Sequence, residues 1–240
     1  NAYNANGKKL ADLIFKISKI SGLKRIRYTT SHPRDFTDDL IVAHRECKKL
    51  MPLIHLPVQS GSNKILKNMN RKHTIEEYRR IIEKLKKVNS NIRFSSDFII
   101  GYPGETFEDY KQTENLIKNV KYINSYSFIF SARPGTPAFK LEKINQSEAK
   151  QRLISFQSVA EETKTKYRET LIGGISDVLF ENKTKEGNKY FGRDEYLNSV
   201  IVTSNESLVG KIKKVKITSG NHNTLYGETL SNLNQNNYAA

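Results

Sequence analysis

From Leu10 to Gly174 the chain alternates between helix-like and strand-like patterns, and this alternation limits its fold more than any other feature. Leu10, Leu13, Ile14, Ile17 and Ile20 recur at the spacing of one helix face, which stops at Gly22. Arg25–Thr29 follows as a strand, with Ile26 and Tyr28 alternating with polar residues. Thr37 stands where it can cap a helix whose first turn carries Asp38 and Asp39, beside the positive end of the helix dipole. Leu53–Val58 reads as an apolar strand with Pro52 and Pro57 at its ends. Thr74 and Glu77 have capping-box spacing, ahead of the apolar face Ile75, Tyr78, Ile81, Ile82, Leu85 and Val88. Ile92–Ile100 returns to strand. Thr106 opens the next helix, with Phe107, Tyr110, Ile117 and Val120 expected to face inward. Ser125–Ser131 is the fourth strand, and Ser147 starts a long charged helix that ends near Gly173-Gly174. Strands separated by helices imply βαβ units and a parallel sheet, so the class is α/β, with part of a barrel.

After Gly174 the pattern changes. Val178-Leu179-Phe180, Tyr190-Phe191, Val200-Ile201-Val202, Lys211–Ile217 and Leu225-Tyr226 are short strands separated by Gly, Asn and Ser, the pattern of a small antiparallel β-barrel. The expected domains are 1–170, 171–230 and a polar tail, 231–240, expected to be disordered.

Composition narrows the function. No apolar run reaches the ~18 residues of a membrane helix, which excludes a membrane-spanning chain and points to the cytoplasm. One cysteine, Cys47, excludes a disulfide framework and a self-contained cysteine-ligated metal site. In line with Leu40, Ala43 and Leu50, it reads as a packed apolar group. The five histidines form no HxH or HExxH pair, so no metal site is expected. The net charge of +15 suggests a polyanionic partner such as nucleic acid. Residues 1–170 hold 32 basic and 18 acidic residues, and residues 171–240 hold 8 and 7, so that footprint belongs mainly to the first part. The first residue is Asn, and the chain reads as a piece of something longer.

In a parallel α/β sheet, ligands bind beyond the carboxyl ends of the strands. Four such ends carry unusual residues: Thr29–Pro33, Pro57–Ser62, Gly101–Glu105 and Ser131–Pro137. Each alone is compatible with an ordinary turn; together they suit a small-molecule ligand. Asp97, inside a strand, is either a ligand contact or half of a salt bridge with an interior arginine. His55 reads as a satisfied interior residue. The run Lys211-Ile212-Lys213-Lys214-Val215-Lys216-Ile217 is either an RNA contact or the solvated face of a half-buried strand. Arg71, Lys72, Arg79, Arg80, Lys84, Lys86 and Lys87 carry the same two readings: phosphate contacts or a solvated helix face.

Four stretches are more specific: Ile26–Pro33 (IRYTTSHP), His55–Ser62 (HLPVQSGS), Ser95–Thr106 (SSDFIIGYPGET) and Tyr126–Ala138 (YSFIFSARPGTPA). In order and spacing they resemble the methylthiotransferases of the radical S-adenosylmethionine superfamily. The region after residue 170 resembles that family's TRAM domain, including Gly192-Arg193 and Leu208–Lys211. The resemblance implies a radical-SAM half-barrel followed by an OB-like barrel. Ser-Ser-Asp-Phe and Phe-Ile-Phe-Ser-Ala-Arg point to the branch that methylthiolates C2 of isopentenyl-adenosine in tRNA. Sister enzymes acting on threonylcarbamoyl-adenosine tRNA or a ribosomal protein are the alternatives within the family.

The resemblance implies S-adenosylmethionine and two [4Fe–4S] clusters as cofactors. It also implies the tRNA anticodon stem-loop as partner, for a cytoplasmic monomer. Ser31, Gln59, Ser60, Asp97, Ile99, Gly101, Phe128, Phe130 and Arg133 would line the S-adenosylmethionine site, with Asp97 and Arg133 the candidates nearest the chemistry. Arg193, Lys211, Lys213, Lys214 and Lys216 would contact RNA. The family's CxxxCxxC loop and its other cysteines do not occur in these residues. By itself the chain is therefore expected to bind no cluster and to be inactive. A stand-alone RNA-binding fragment and a non-radical sugar- or nucleotide-processing half-barrel are the competing readings.

Overall fold

Asn6 and Gly7 take positive φ of 52° and 76°, the backbone of a tight hairpin turn that an Asn-Gly pair adopts easily. They join β1 (Asn4–Ala5) to β2 (Lys8–Lys9). The computed structural model describes residues 3–29 and 32–230 and divides into two units, residues 1–163 and 164–240. The tail 231–240 lies outside the described residues.

In the first unit, α1 (Leu10–Ser18) buries Ala11 and Ile14, and Ile20, beyond its end, is exposed. The strand expected at Arg25–Thr29 is a single parallel bridge, Ile26 to Leu50. Ile26 donates to Lys49 and accepts from Met51, and among the described residues no ladder extends beyond this bridge. Three strands, not four, make the sheet. Next come α2 (Asp38–Glu46), β3 (Leu53–His55), α3 (Asn63–Asn68), α4 (Ile75–Val88) and β4 (Arg93–Ile100). They are followed by α5 (Phe107–Val120), β5 (Asn124–Ile129) and α6 (Gln146–Glu169). Sheet order is β3-β4-β5, all parallel.

Helix starts follow local chemistry. Thr74 and Glu77 close the expected capping box on α4, and Thr106 with Asp109 closes another on α5. Thr37 precedes α2, but its side chain makes no cap bond. The α6 cap is Asn145, whose carboxamide oxygen accepts from Ser147 N at 2.8 Å, so Ser147 lies inside the helix. Phe107, expected inside, is exposed: at the first position of α5 its ring lies against Tyr110 and under Lys111. Beneath the sheet, Phe98 packs on Phe156 of α6 at 4.8 Å and on Tyr122 at 5.5 Å. Cys47 caps the end of α2 and is buried in this core.

The second unit is a closed five-stranded barrel of β6 (Ile175–Lys183), β7 (Lys189–Arg193), β8 (Ser199–Thr203), β9 (Ile212–Gly220) and β10 (Thr224–Thr229). Four pairings are antiparallel as expected, but β8 and β10 pair in parallel, which closes the cylinder. Val178, Phe180, Val200, Val215, Ile217 and Leu225 fill it. Gly192 sits where a Cβ would come within 2.5 Å of the Leu179 carbonyl, so only glycine allows that approach.

Candidate functional site

The parallel register fixes what shares a face. Asp97 pairs with Tyr126 and Ile99 with Phe128. Their neighbours Phe98 and Ile100 turn to the core, so Asp97, Ile99, Tyr126 and Phe128 face the other way. Four residues beyond β3, Gln59 bridges to β4: its N–H donates to Asp97 O at 3.0 Å, and its carbonyl accepts from Ile99 N at 2.9 Å. Its φ of 76° is uncommon for a residue with a Cβ, and such strain concentrates at functional sites. Beneath it, Ser96 Oγ accepts from Val58 N at 2.9 Å and donates to Leu56 O at 2.8 Å. Tyr78 also donates to Leu56 O, and Tyr122 donates to Tyr78, so the strand end rests on a buried and satisfied network.

Above this floor lies a cleft of about 610 Å³. Of the residues expected at the site, Gln59, Asp97, Ile99, Phe128, Phe130 and Arg133 line it. Ser60 and Gly101 do not. The Ser60 side chain is buried, its Oγ 3.3 Å from Thr113 Oγ1 and accepting from Ser62 N. It turns away because Gly61 packs directly on α5, where a Cβ would lie 2.5 Å from Gln112 O. Gly101 takes φ 76°, packs against Ala149 and donates to Glu105, a role in the backbone. Ser31 lies outside the described residues.

Within ion-pair distance of the Asp97 carboxylate stands His55, its Nε2 at 3.4 Å. His55 Nδ1 lies 2.9 Å from Ser95 Oγ, which orients the ring. Met69, Arg71 and Tyr102 also line the cleft. The sequence placed Arg71 only among a run of helix cations. The visible signal for this loop was Asn70, an αL-tolerant residue between two helices, here at φ 56°. Burial lowers the Arg71 pKa, and the facing Asp97 charge works against that shift. Tyr102 stacks edge-on against Phe130 at 4.7 Å and donates to Asn68 O.

Two buried carboxylates hold the turns around the cleft. Asp109 accepts from Ser62 Oγ at 2.7 Å, from Lys64 at 2.9 Å and from Thr106 N at 2.9 Å. Burial works to raise its pKa, but these bonds outweigh it and hold the carboxyl well below the usual range. Glu105 accepts from Gly101 N and from Arg152, which also binds Glu148; burial raises the Glu105 pKa against both bonds.

In the barrel, the basic strand is split between faces. Val215 and Ile217 point in, so Lys214 and Lys216 point out and Lys213 has inward parity. Lys211 precedes β9, Lys214 pairs with Asp177 at 3.3 Å, and Arg193 lies 3.8 Å from Glu181 and over the Phe191 ring. The five cations do not form one face.

Family models match residues 3–117 as the radical SAM superfamily and residues 169–230 as a TRAM domain. The chain carries radical SAM and TRAM domains. It is 55% identical over 229 residues to tRNA-2-methylthio-N(6)-dimethylallyladenosine synthase of Pelagibacter ubique, covering 95% of this chain and 51% of that one. The same-named proteins of Ruegeria sp. and Anaplasma phagocytophilum are 44% and 43% identical over 96% and 97% of this chain, and 53% of theirs. The chain thus spans about half the length of the curated relatives it matches.

Radical SAM domains use S-adenosylmethionine and an iron–sulfur cluster. The cleft, with apolar, amide, carboxylate and guanidinium groups at the strand ends, fits the former. The cluster does not fit: Cys47 is the chain's one cysteine and is buried, and among the described residues no His, Cys, Asp and Glu group suits a metal ion. Among the described residues no helix is long and apolar enough to cross a membrane.

Proposed function

We propose that this chain is part of a tRNA methylthiotransferase that adds a methylthio group to C2 of isopentenyl-adenosine beside the anticodon, and that its cleft holds S-adenosylmethionine. The observation that carries this is 43–55% identity, over at least 95% of the chain, to synthases of that name. Residues 1–170 would be the radical SAM core and 171–230 the TRAM barrel, in a cytoplasmic monomer whose partner is the tRNA anticodon stem-loop.

The cofactor, when bound, supplies the adenosyl group for hydrogen abstraction. Phe128 and Phe130 offer apolar and ring surface to its purine. Asp97, held by His55, offers an acceptor to hydroxyl or amino donors, and Gln59 offers an amide. Arg133 and Arg71 bring positive charge for a carboxylate or a phosphate. Cluster ligation falls to residues outside this chain, so the chain alone is expected to be inactive.

In the full-length enzyme, Asp97→Asn should reduce S-adenosylmethionine binding and cleavage about tenfold, the scale of one charge-assisted hydrogen bond. Unchanged binding removes Asp97 from the site. A full-length protein that binds no iron and leaves isopentenyl-adenosine tRNA unmodified sinks the reading.

A further inference from the structure

The cleft has two unlike ends. At one, the Asp97 carboxylate stands 3.4 Å from His55 Nε2 and faces the Arg71 guanidinium, while Gln59 bridges to the Asp97 backbone. The other end lies beyond the strands. Phe130 follows the last residue of β5, its N–H donates to Ile100 O at 2.8 Å, and its ring stands edge-on to Tyr102 at 4.7 Å. The Tyr102 hydroxyl donates to Asn68 O at 2.9 Å, which brings the neighbouring Met69 to this same end. Only Asn70 separates Met69 from Arg71, and its φ of 56° turns the chain between the two ends.

The second end is apolar even where hydroxyl-bearing residues line it. Tyr102 and Thr136 each donate a proton to a backbone carbonyl, Tyr102 to Asn68 and Thr136 to Arg133 at 2.7 Å. The wall there is then built from the Tyr102 and Phe130 rings, the Met69 thioether and the Ala138 methyl group. Such a wall gains free energy by covering hydrocarbon, and a soft thioether adapts to an irregular one. A group that needs hydrogen bonds would lose its water there. S-adenosylmethionine carries no hydrocarbon tail, so the Asp97 end answers its chemistry and the apolar end answers that of another group.

We infer that Met69, Tyr102 and Phe130 form the subsite for the dimethylallyl chain on N6 of the target adenine. The inference rests on the proposed tRNA substrate and adds to it the residues that set specificity. They select the prenylated base over bare adenine by the apolar surface it buries. They select it over an adenine carrying threonylcarbamoyl because the carboxylate and hydroxyl of that group would be desolvated against rings and a thioether.

The test is the affinity of the 240-residue chain for N6-dimethylallyladenosine, adenosine and N6-threonylcarbamoyladenosine, measured by calorimetry. The prenylated nucleoside should bind at least about tenfold more tightly than either of the others. Met69→Gln, which sets an amide in the wall at similar size, should cut that preference about threefold or more. Met69→Leu, which keeps the wall apolar, should retain it. Phe130→Leu, which removes the ring that meets Tyr102, gives a second reading should Met69→Gln fail to fold, and it too should reduce the preference. Equal binding of the prenylated nucleoside and either of the others, no binding of any, or a preference untouched by Met69→Gln and Phe130→Leu overturns the subsite. The proposed function is judged separately, by turnover of isopentenyl-adenosine tRNA in the full-length enzyme. Turnover without a preference in the chain removes the subsite and leaves the reaction; a preference without turnover removes the reaction and leaves the subsite.

Discussion

The two units handle apolar surface in opposite ways. In the barrel every strand has two neighbours, and Val178, Phe180, Val200, Val215, Ile217 and Leu225 are fully enclosed. In the three-stranded sheet, β5 has one neighbour, and Tyr126 and Phe128 stand 55% and 57% exposed. A closed barrel spends its apolar residues on its own stability. An open sheet leaves them on a concave face, where a ligand can cover them. The cleft is therefore on the sheet, and the barrel's contribution to binding is left to its outer side chains.

The largest test of this contrast is Asp109→Ala. It removes an acceptor with four bound donors in the first unit and should lower that unit's stability by about 3 kcal/mol or more. Urea unfolding followed by hydrogen exchange should show the barrel amides unaffected; equal loss in both units would break the division.

Val215→Ala in the barrel should cost about 2 kcal/mol through a cavity. Phe128→Ala removes more apolar surface, yet should stay within about 0.5 kcal/mol because the ring is already exposed. It should instead weaken S-adenosylmethionine binding. A large stability loss for Phe128→Ala would mean that the sheet face is core and not cleft.

Acid should act first on the sheet unit. Burial lowers His44 from the usual 6.5 to about 4, and its Nε2 is 2.8 Å from the Tyr28 hydroxyl. Protonation favours the unfolded chain, so this contribution is complete above pH 6.5 and lost as pH falls toward 4. His44→Gln should flatten the stability curve across that window; an unchanged slope would assign the loss elsewhere. The Asp109 contribution disappears only at lower pH, because its folded-state pKa is depressed.

The smallest effect lies on the barrel's outer face. Lys216→Gln should weaken RNA binding by about threefold, and Lys214→Gln by less, because Lys214 is already paired with Asp177. Equal losses would mean that the Asp177 pair does not hold in solution.

Local patterns in the sequence determined the α/β class, the capping box at Thr74, the helix start at Thr106, the five barrel strands and the gathering of ligand-type residues at the strand ends. Each is a short-range property: a capping box needs four residues and strand alternation needs five or six. Distances across the chain were not in those patterns. Phe107 and Tyr110 look alike in a helical repeat, and only packing put one outside and the other inside. Ser60 and Gln59 are adjacent, and only the contact of Gly61 with α5 turned one into the protein and left the other at the cleft. Arg71 belonged by composition to a run of surface cations, and tertiary structure placed it opposite Asp97. The tertiary structure also paired β8 with β10 in parallel. Periodicity reports which side of its own element a residue occupies, whereas burial and partnership depend on what another element brings to that side.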